Sequence, residues 1–212
     1  TKDYLLFLDK YCKKKKILLW FDEVITGLRV RKFAIYKKYK LKPDIVTFAK
    51  CFGGGMPIGI TLYNSKIIKK KNKKIFFGGT FSGNPISTKV GNDTFNYIKK
   101  NKNKIDIHLN KLSRKLTDEI NNFSELKSKE FRLQAYESIV RPIFTSKNIT
   151  NKFYREIYDP NFKNSLKLKN YLIKNNIFIS SNCCFFISFC HNLKDIELLI
   201  KKLKKFIIKY SS

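Results

Sequence analysis

The sequence predicts an α/β protein: a mostly parallel sheet with helices over residues 1–122, then a smaller α+β unit over residues 123–212. Three observations carry this reading. Continuous apolar runs, "ILLWF" (17–21), "DIVTFA" (44–49) and "IGITLY" (58–63), are separated by polar connections, as in strands buried on both faces beneath covering helices. A long stripe at helical spacing follows "GGTFSGNP" (78–85). Beyond it come shorter strand-like and helix-like segments that end on an amphipathic helix.

The elements follow in order. "YLLFLDKYCKKKK" (4–16) reads as a helix, and because it opens close to Thr1 without a capping cluster it is expected to continue from an upstream part. "ILLWF" is the first strand and ends at Asp22. "KFAIYKKYK" (32–40) is a short helix, and Lys42-Pro43-Asp44 is a boundary, because proline disfavours helix in the residue before it. "DIVTFA" and "IGITLY" are the second and third strands. Asn84 suits an N-cap and Pro85 the first helical position. Val90, Phe95, Ile98, Ile105, Leu109, Leu112, Leu116 and Ile120 then keep one face apolar, with "KNKNK" (100–104) as a point where the helix is expected to bend or break. "YESIVRPIFT" (136–145) reads as strand, "SLKLKNYLIKNN" (165–176) as helix, and "IFISS" (177–181) and "CCFFISF" (183–189) as strands. Residues 193–210 form the closing helix, with Ile196, Leu199, Ile200, Leu203 and Ile207 on one stripe and acid-to-base polarity along its axis.

A net charge of +29 invites a phosphate-rich partner. The distribution points elsewhere. Basic residues number 45, of which six are arginine, and the lysines run along the whole chain instead of gathering on one face. Arginine is the better residue for bidentate base and phosphate contacts, so nucleic-acid binding is not expected as the main function. The five cysteines, Cys12, Cys51, Cys183, Cys184 and Cys190, include no CxxC pair, and only His108 and His191 could join them, so no metal site is expected. Cys183 and Cys184 are expected on opposite faces of a strand, as reduced thiols of a cytoplasmic protein. No apolar run reaches the ~20 residues of a membrane-spanning helix.

Against 39 lysines, Lys50 is unusual. It follows an apolar strand, lies among Phe48, Ala49, Cys51 and Phe52, and precedes Gly53, Gly54 and Gly55. At a strand's carboxyl end, where open α/β sheets bind ligands, such a lysine is expected to be partly desolvated, with its amine available as a nucleophile. The glycines would admit close approach to a flat ligand. Asp22, a carboxylate ending a buried strand, needs a partner such as a protonated ring nitrogen. Thr80, with the amides around Gly79 and Ser82 and the helix start at Asn84, suits a phosphate. Each feature alone also has a plain reading: a solvated lysine before a turn, a capping aspartate, a glycine-rich turn before a helix. The three segments are expected to meet in one crevice.

Together "FDEVITGLR", "KPDIVTFAKCFGGGMPIG" and "GGTFSGNP" resemble the signature of the class III pyridoxal-phosphate aminotransferases, most closely their aminomutase branch. The layout of "YLIKNNIFISS" and the closing helix is similar to that family's C-terminal domain, so the resemblance covers essentially the whole chain. It implies a fold type I large domain followed by a small C-terminal domain, pyridoxal 5'-phosphate as cofactor, a small amino or aldehyde substrate, and a homodimer. It also implies site roles. Lys50 would be the Schiff-base lysine, Asp22 the carboxylate on the pyridinium nitrogen, and Val24 the apolar residue against the ring. Gly79 and Thr80 would be the phosphate contact donated across the dimer. Where the aminomutases carry a tyrosine shortly before Gly-Thr, this chain has Phe76, which leaves room for a transaminase of another aldehyde or ketone. The family's N-terminal half, with its phosphate loop, stacking aromatic and most of the substrate pocket, has no counterpart in these residues. A fragment or basic module that retains only the fold is the remaining alternative.

Overall fold

Alternating burial along residues 45–49 marks the centre of the first sheet, in a computed structural model that describes residues 1–69, 78–159, 162–180 and 183–210. The chain packs as two units, Thr1–Asn103 and Lys104–Ser212. In the first, helix α1 (Lys2–Lys15) carries a hydrogen bond from the Tyr4 amide to the Thr1 side chain at 3.4 Å, and it ends on left-handed Lys16. Strand β1 (Trp20–Asp22) runs parallel to β2 (Ile45–Ala49), with Asp22 opposite Thr47, and the short helix α2 (Ile35–Lys38) lies between them in sequence. Strand β3 (Gly59–Tyr63) pairs antiparallel with β2. The parallel placement expected for β3 is thus corrected. Only residues 50–58 join β2 to β3, fewer than the dozen or so that a parallel crossover requires.

One face of this sheet is covered. Val46 and Phe48 are buried with Ala34, and Phe21, Tyr36, Phe52 and Ile60 pack against them. The other face is open, and Trp20 on it is 62% exposed. Ile17 and Leu18, expected inside a strand buried on both sides, precede the strand and are exposed. Among the described residues β1 is an edge strand, so a continuous apolar run here does not mean burial on both faces.

After the short helix α3 (Ser65–Lys69), helix α4 (Pro85–Leu126) begins as predicted, with the Asn84 side chain accepting from the Ser87 amide at 3.0 Å. It continues without interruption through residues 100–104, contrary to the expected bend. Lys102 accounts for this locally. It is 8% exposed, its Nζ donates to the Leu28 carbonyl at 3.2 Å, and it lies 5.5 Å from the centre of the Phe33 ring. The polar stretch is therefore anchored against the first unit.

The second unit is built on an antiparallel sheet in the order β4 (Arg132–Tyr136), β5 (Ile139–Ile143), β6 (Phe185–Phe186). Strand β4 was not predicted, because three of its five residues are exposed and show no alternation. The Asn121 side chain brackets it from α4, donating to the Leu133 carbonyl at 3.0 Å and accepting from the Leu133 amide at 2.7 Å. Of the two strands expected near the C-terminus, residues 177–180 are not in a sheet, Ser181 and Asn182 lie outside the described residues, and only Phe185–Phe186 pairs. Cys183 takes a left-handed conformation with φ 54°, so strand alternation does not set the cysteines' burial. Its Sγ donates to the Ser165 carbonyl at 2.9 Å, and burial pushes its thiol up from the ordinary value.

Helices α5 (Lys152–Tyr158), α6 (Phe162–Ile173) and α7 (Leu193–Tyr210) complete the unit. Helix α7 opens with a reciprocal cap. The Asp195 amide donates to the Asn192 side chain at 3.2 Å, and the Asn192 amide to the Asp195 carboxylate at 2.8 Å. All five residues of the predicted stripe are buried, together with Phe206, which meets Phe131 with ring centres 6.2 Å apart. No helix among the described residues is long and apolar enough to cross a membrane.

Candidate functional site

The carboxyl ends of the adjacent parallel strands β1 and β2 carry the sequence-predicted residues Asp22, Val24 and Lys50. Asp22 ends β1 and is exposed; its Oδ1 accepts from the Val24 amide at 3.0 Å, which fixes the carboxylate over the turn. The buried carboxylate here is the neighbouring Glu23, at 1% exposure, which the sequence reading passed over. Strand alternation was the available signal: with Asp22 on the open face, the next residue points into the covered one. Glu23 accepts from the Thr26 hydroxyl and, at 3.0 Å, from the Tyr36 amide at the start of α2. Burial, and secondarily the Glu23 charge, raise the Tyr36 phenol above its ordinary value. Gly27 closes the same turn. A Cβ there would lie 2.6 Å from the Phe48 ring and 2.7 Å from the Glu23 carbonyl oxygen, so only glycine fits.

Lys50 is the first residue beyond β2 and opens a 3-10 turn, Lys50–Gly53. Its φ of 49° is left-handed, a conformation that costs a non-glycine residue of order 1–3 kcal/mol and that turns the chain out of the strand at this point. The expected desolvation is not seen among the described residues, where Lys50 is exposed. Of the three glycines, Gly54, at φ 57°, approaches helix α4, and a Cβ on it would fall 2.1 Å from Thr94 Oγ1. The triglycine turn therefore docks the lysine's loop onto α4.

Gly79 and Thr80 are exposed in the turn before α4. They line a cavity of about 1160 Å³ with Phe48, Phe52, Ile60 and Phe95, and Asp22, Val24 and Lys50 do not line it. The expectation of one crevice is corrected, because these aromatic and apolar residues belong to the covered side of the sheet. The expected cradle is also partly engaged. The Ser82 amide donates to the Gly79 carbonyl at 2.9 Å, and the Ser87 amide is held by Asn84. Phe76 lies outside the described residues.

An amine and a carboxylate at adjoining strand ends can, respectively, attack an aldehyde carbon and accept from a protonated ring nitrogen. Among the described residues Asp22 Oδ2 makes no hydrogen bond, which leaves it able to do the latter. The amine and the carboxylate fit the aldehyde and the ring nitrogen of a pyridine aldehyde.

The sequence profile of aminotransferase class-III matches residues 1–133. The glutamate-1-semialdehyde 2,1-aminomutase of Archaeoglobus fulgidus is 31% identical over 205 residues, 94% of this chain and 48% of that protein. The one from Methanosphaera stadtmanae is 32% identical over 198 residues, 92% of this chain and 46% of that protein. The chain thus spans about half the length of the curated relatives it matches. Among solved structures, an omega-transaminase from Sphaerobacter thermophilus superposes with a TM-score of 0.86 at 17% identity, over 98% of this chain and 48% of that one. A glutamate-1-semialdehyde-aminomutase variant from Pseudomonas aeruginosa, in complex with PMP, gives 0.84 at 16% identity, over 97% of this chain and 47% of that one. At these identities the likeness establishes the mixed α/β fold of these transaminases.

Proposed function

Because the chain belongs to the class-III aminotransferase family, we propose that it carries the lysine-bearing part of a pyridoxal-phosphate-dependent aminotransferase or aminomutase. The observation that carries this reading is the placement of Asp22 and Lys50 at the carboxyl ends of two neighbouring parallel strands. Lys50 Nζ would hold the cofactor's aldehyde carbon, and Asp22 would accept a hydrogen bond from its ring nitrogen. Val24 would pack against the ring, and Gly79 and Thr80 would bind the phosphate held by a second copy of the chain. Their separation from Lys50 within one chain is consistent with that crossing. When bound, the cofactor withdraws electrons from the carbon bearing the amino group. Lys50 Nζ, once free, would carry a proton between the substrate's amino-bearing carbon and the cofactor's aldehyde-derived carbon, taking it from one and delivering it to the other.

The substrate we favour is glutamate 1-semialdehyde, whose amino group would move to the neighbouring carbon to give 5-aminolevulinate, in keeping with relatives near 30% identity. Phe76, in place of a tyrosine hydroxyl, favours amination of a different aldehyde or ketone as the second reading. The natural protein supplied with pyridoxal phosphate and glutamate 1-semialdehyde distinguishes the two. Formation of 5-aminolevulinate without an added amino donor supports the mutase. Turnover that requires an added amino acid supports the transaminase. No amino transfer to any aldehyde or keto acid tried would overturn both.

A further inference from the structure

We infer that Glu23 is a positioning residue that sets the orientation of Asp22 toward the cofactor ring; the inference rests on the proposed reading of Asp22. Four hydrogen bonds pin Glu23. Its amide donates to the Thr47 carbonyl at 2.9 Å, extending the ladder between β1 and β2 by one residue. Its carbonyl accepts from the Gly27 amide at 2.7 Å. Its carboxylate accepts from the Tyr36 amide at 3.0 Å and from the Thr26 hydroxyl. At 1% exposure this carboxylate has little water to replace those partners, so the clamp is held firmly.

The consequence reaches Asp22 through the backbone. Successive strand residues point to opposite faces, so a Glu23 anchored in the covered face holds Asp22 on the open one. The Val24 amide, on the other side of Glu23, fixes Asp22 Oδ1 at 3.0 Å. Glu23 thus immobilises the two peptide planes on either side of it, the one it shares with Asp22 and the one that carries the Val24 amide holding Asp22 Oδ1, without touching the ring. Misplacement by even an ångström weakens a directed charge-assisted hydrogen bond considerably.

The test uses the full natural protein carrying Glu23→Gln, Glu23→Ala, Thr26→Val or Asp22→Asn. Pyridoxal phosphate affinity is read by absorbance titration, the pH at which the bound cofactor's visible band titrates by spectroscopy, and Val24 amide protection by hydrogen exchange. Expected for Glu23→Ala are affinity weaker by about tenfold, a displaced band titration and a less protected Val24 amide. Glu23→Gln, which keeps an acceptor oxygen, recovers most of each. If Glu23→Ala proves unfolded, Thr26→Val, which removes one leg of the clamp, must show the same changes to a smaller degree. Wild-type affinity, titration and Val24 protection in the folded variant would overturn the inference. When Asp22→Asn weakens binding and the Glu23 and Thr26 variants do not, Glu23's role alone falls. If Asp22→Asn also binds as wild type, the assignment of Asp22 falls and takes this inference with it.

Discussion

At the residue scale, Lys50 is set apart from the other lysines by its place at the end of β2 before the glycine turn, not by burial or by its left-handed φ, which Lys16, Lys32 and Lys40 share. It is an exposed amine, but its left-handed φ and the glycine turn behind it place it at the end of β2, beside the strand that ends at Asp22. Borohydride treatment of the natural protein in the presence of pyridoxal phosphate should therefore fix the cofactor to Lys50, and peptide mapping should find one labelled site. Labels spread over many lysines would remove its special status. Asp159 offers a second check at this scale. Burial raises its carboxyl above the ordinary 3.8, against opposing contributions from the Phe144 amide, Arg155 and Arg141. A raised value in the folded state means a contribution that is whole below about 3.8 and lost as pH rises through the raised value. Asp159→Asn should consequently gain stability relative to wild type between about pH 3 and pH 7. Urea midpoints that differ equally at both ends would contradict this.

At the element scale, the lysine loop depends on its seat against α4. In Gly54→Ala the new methyl would meet Thr94 Oγ1 at 2.1 Å in a left-handed conformation, which should destabilise the first unit by about 2–4 kcal/mol. Thr94→Ala in the same chain should return part of that loss, because it removes the clashing oxygen; a purely additive double variant would show that strain alone is responsible. The start of α7 is a simpler case. Asn192→Ala removes one half of a reciprocal cap and should cost about 0.5–2 kcal/mol in thermal or urea unfolding.

At the scale of the whole molecule, the proposed reading has Gly79 and Thr80 serve a second copy, and within one chain they line a cavity whose lining does not include Lys50. Sedimentation of the natural protein should show a dimer. Thr80→Ala should loosen pyridoxal phosphate several-fold while leaving the borohydride label on Lys50. A monomer that binds the cofactor tightly would refute the crossed arrangement.

The sequence by itself determined what local chemistry dictates. Helical periodicity marked the stripe from Val90 to Ile120 and residues 193–210, Asn84 and Pro85 marked a helix start, and the order of three short motifs pointed to the family. Each helix signal is set by residues a few positions apart and each motif is a short contiguous string, so no distant contact is required to read them. Tertiary structure decided the rest. The antiparallel turn of β3, the open face beside Trp20 and the exposure of Lys50 follow from which strand ends up at an edge, and an apolar run reads the same in either place. Strand β4 shows no alternation and is held by Asn121 from another element. The burial of Glu23 rather than Asp22 was decided by partners 3 and 13 residues away, Thr26 and Tyr36, which alone make an interior carboxylate tolerable.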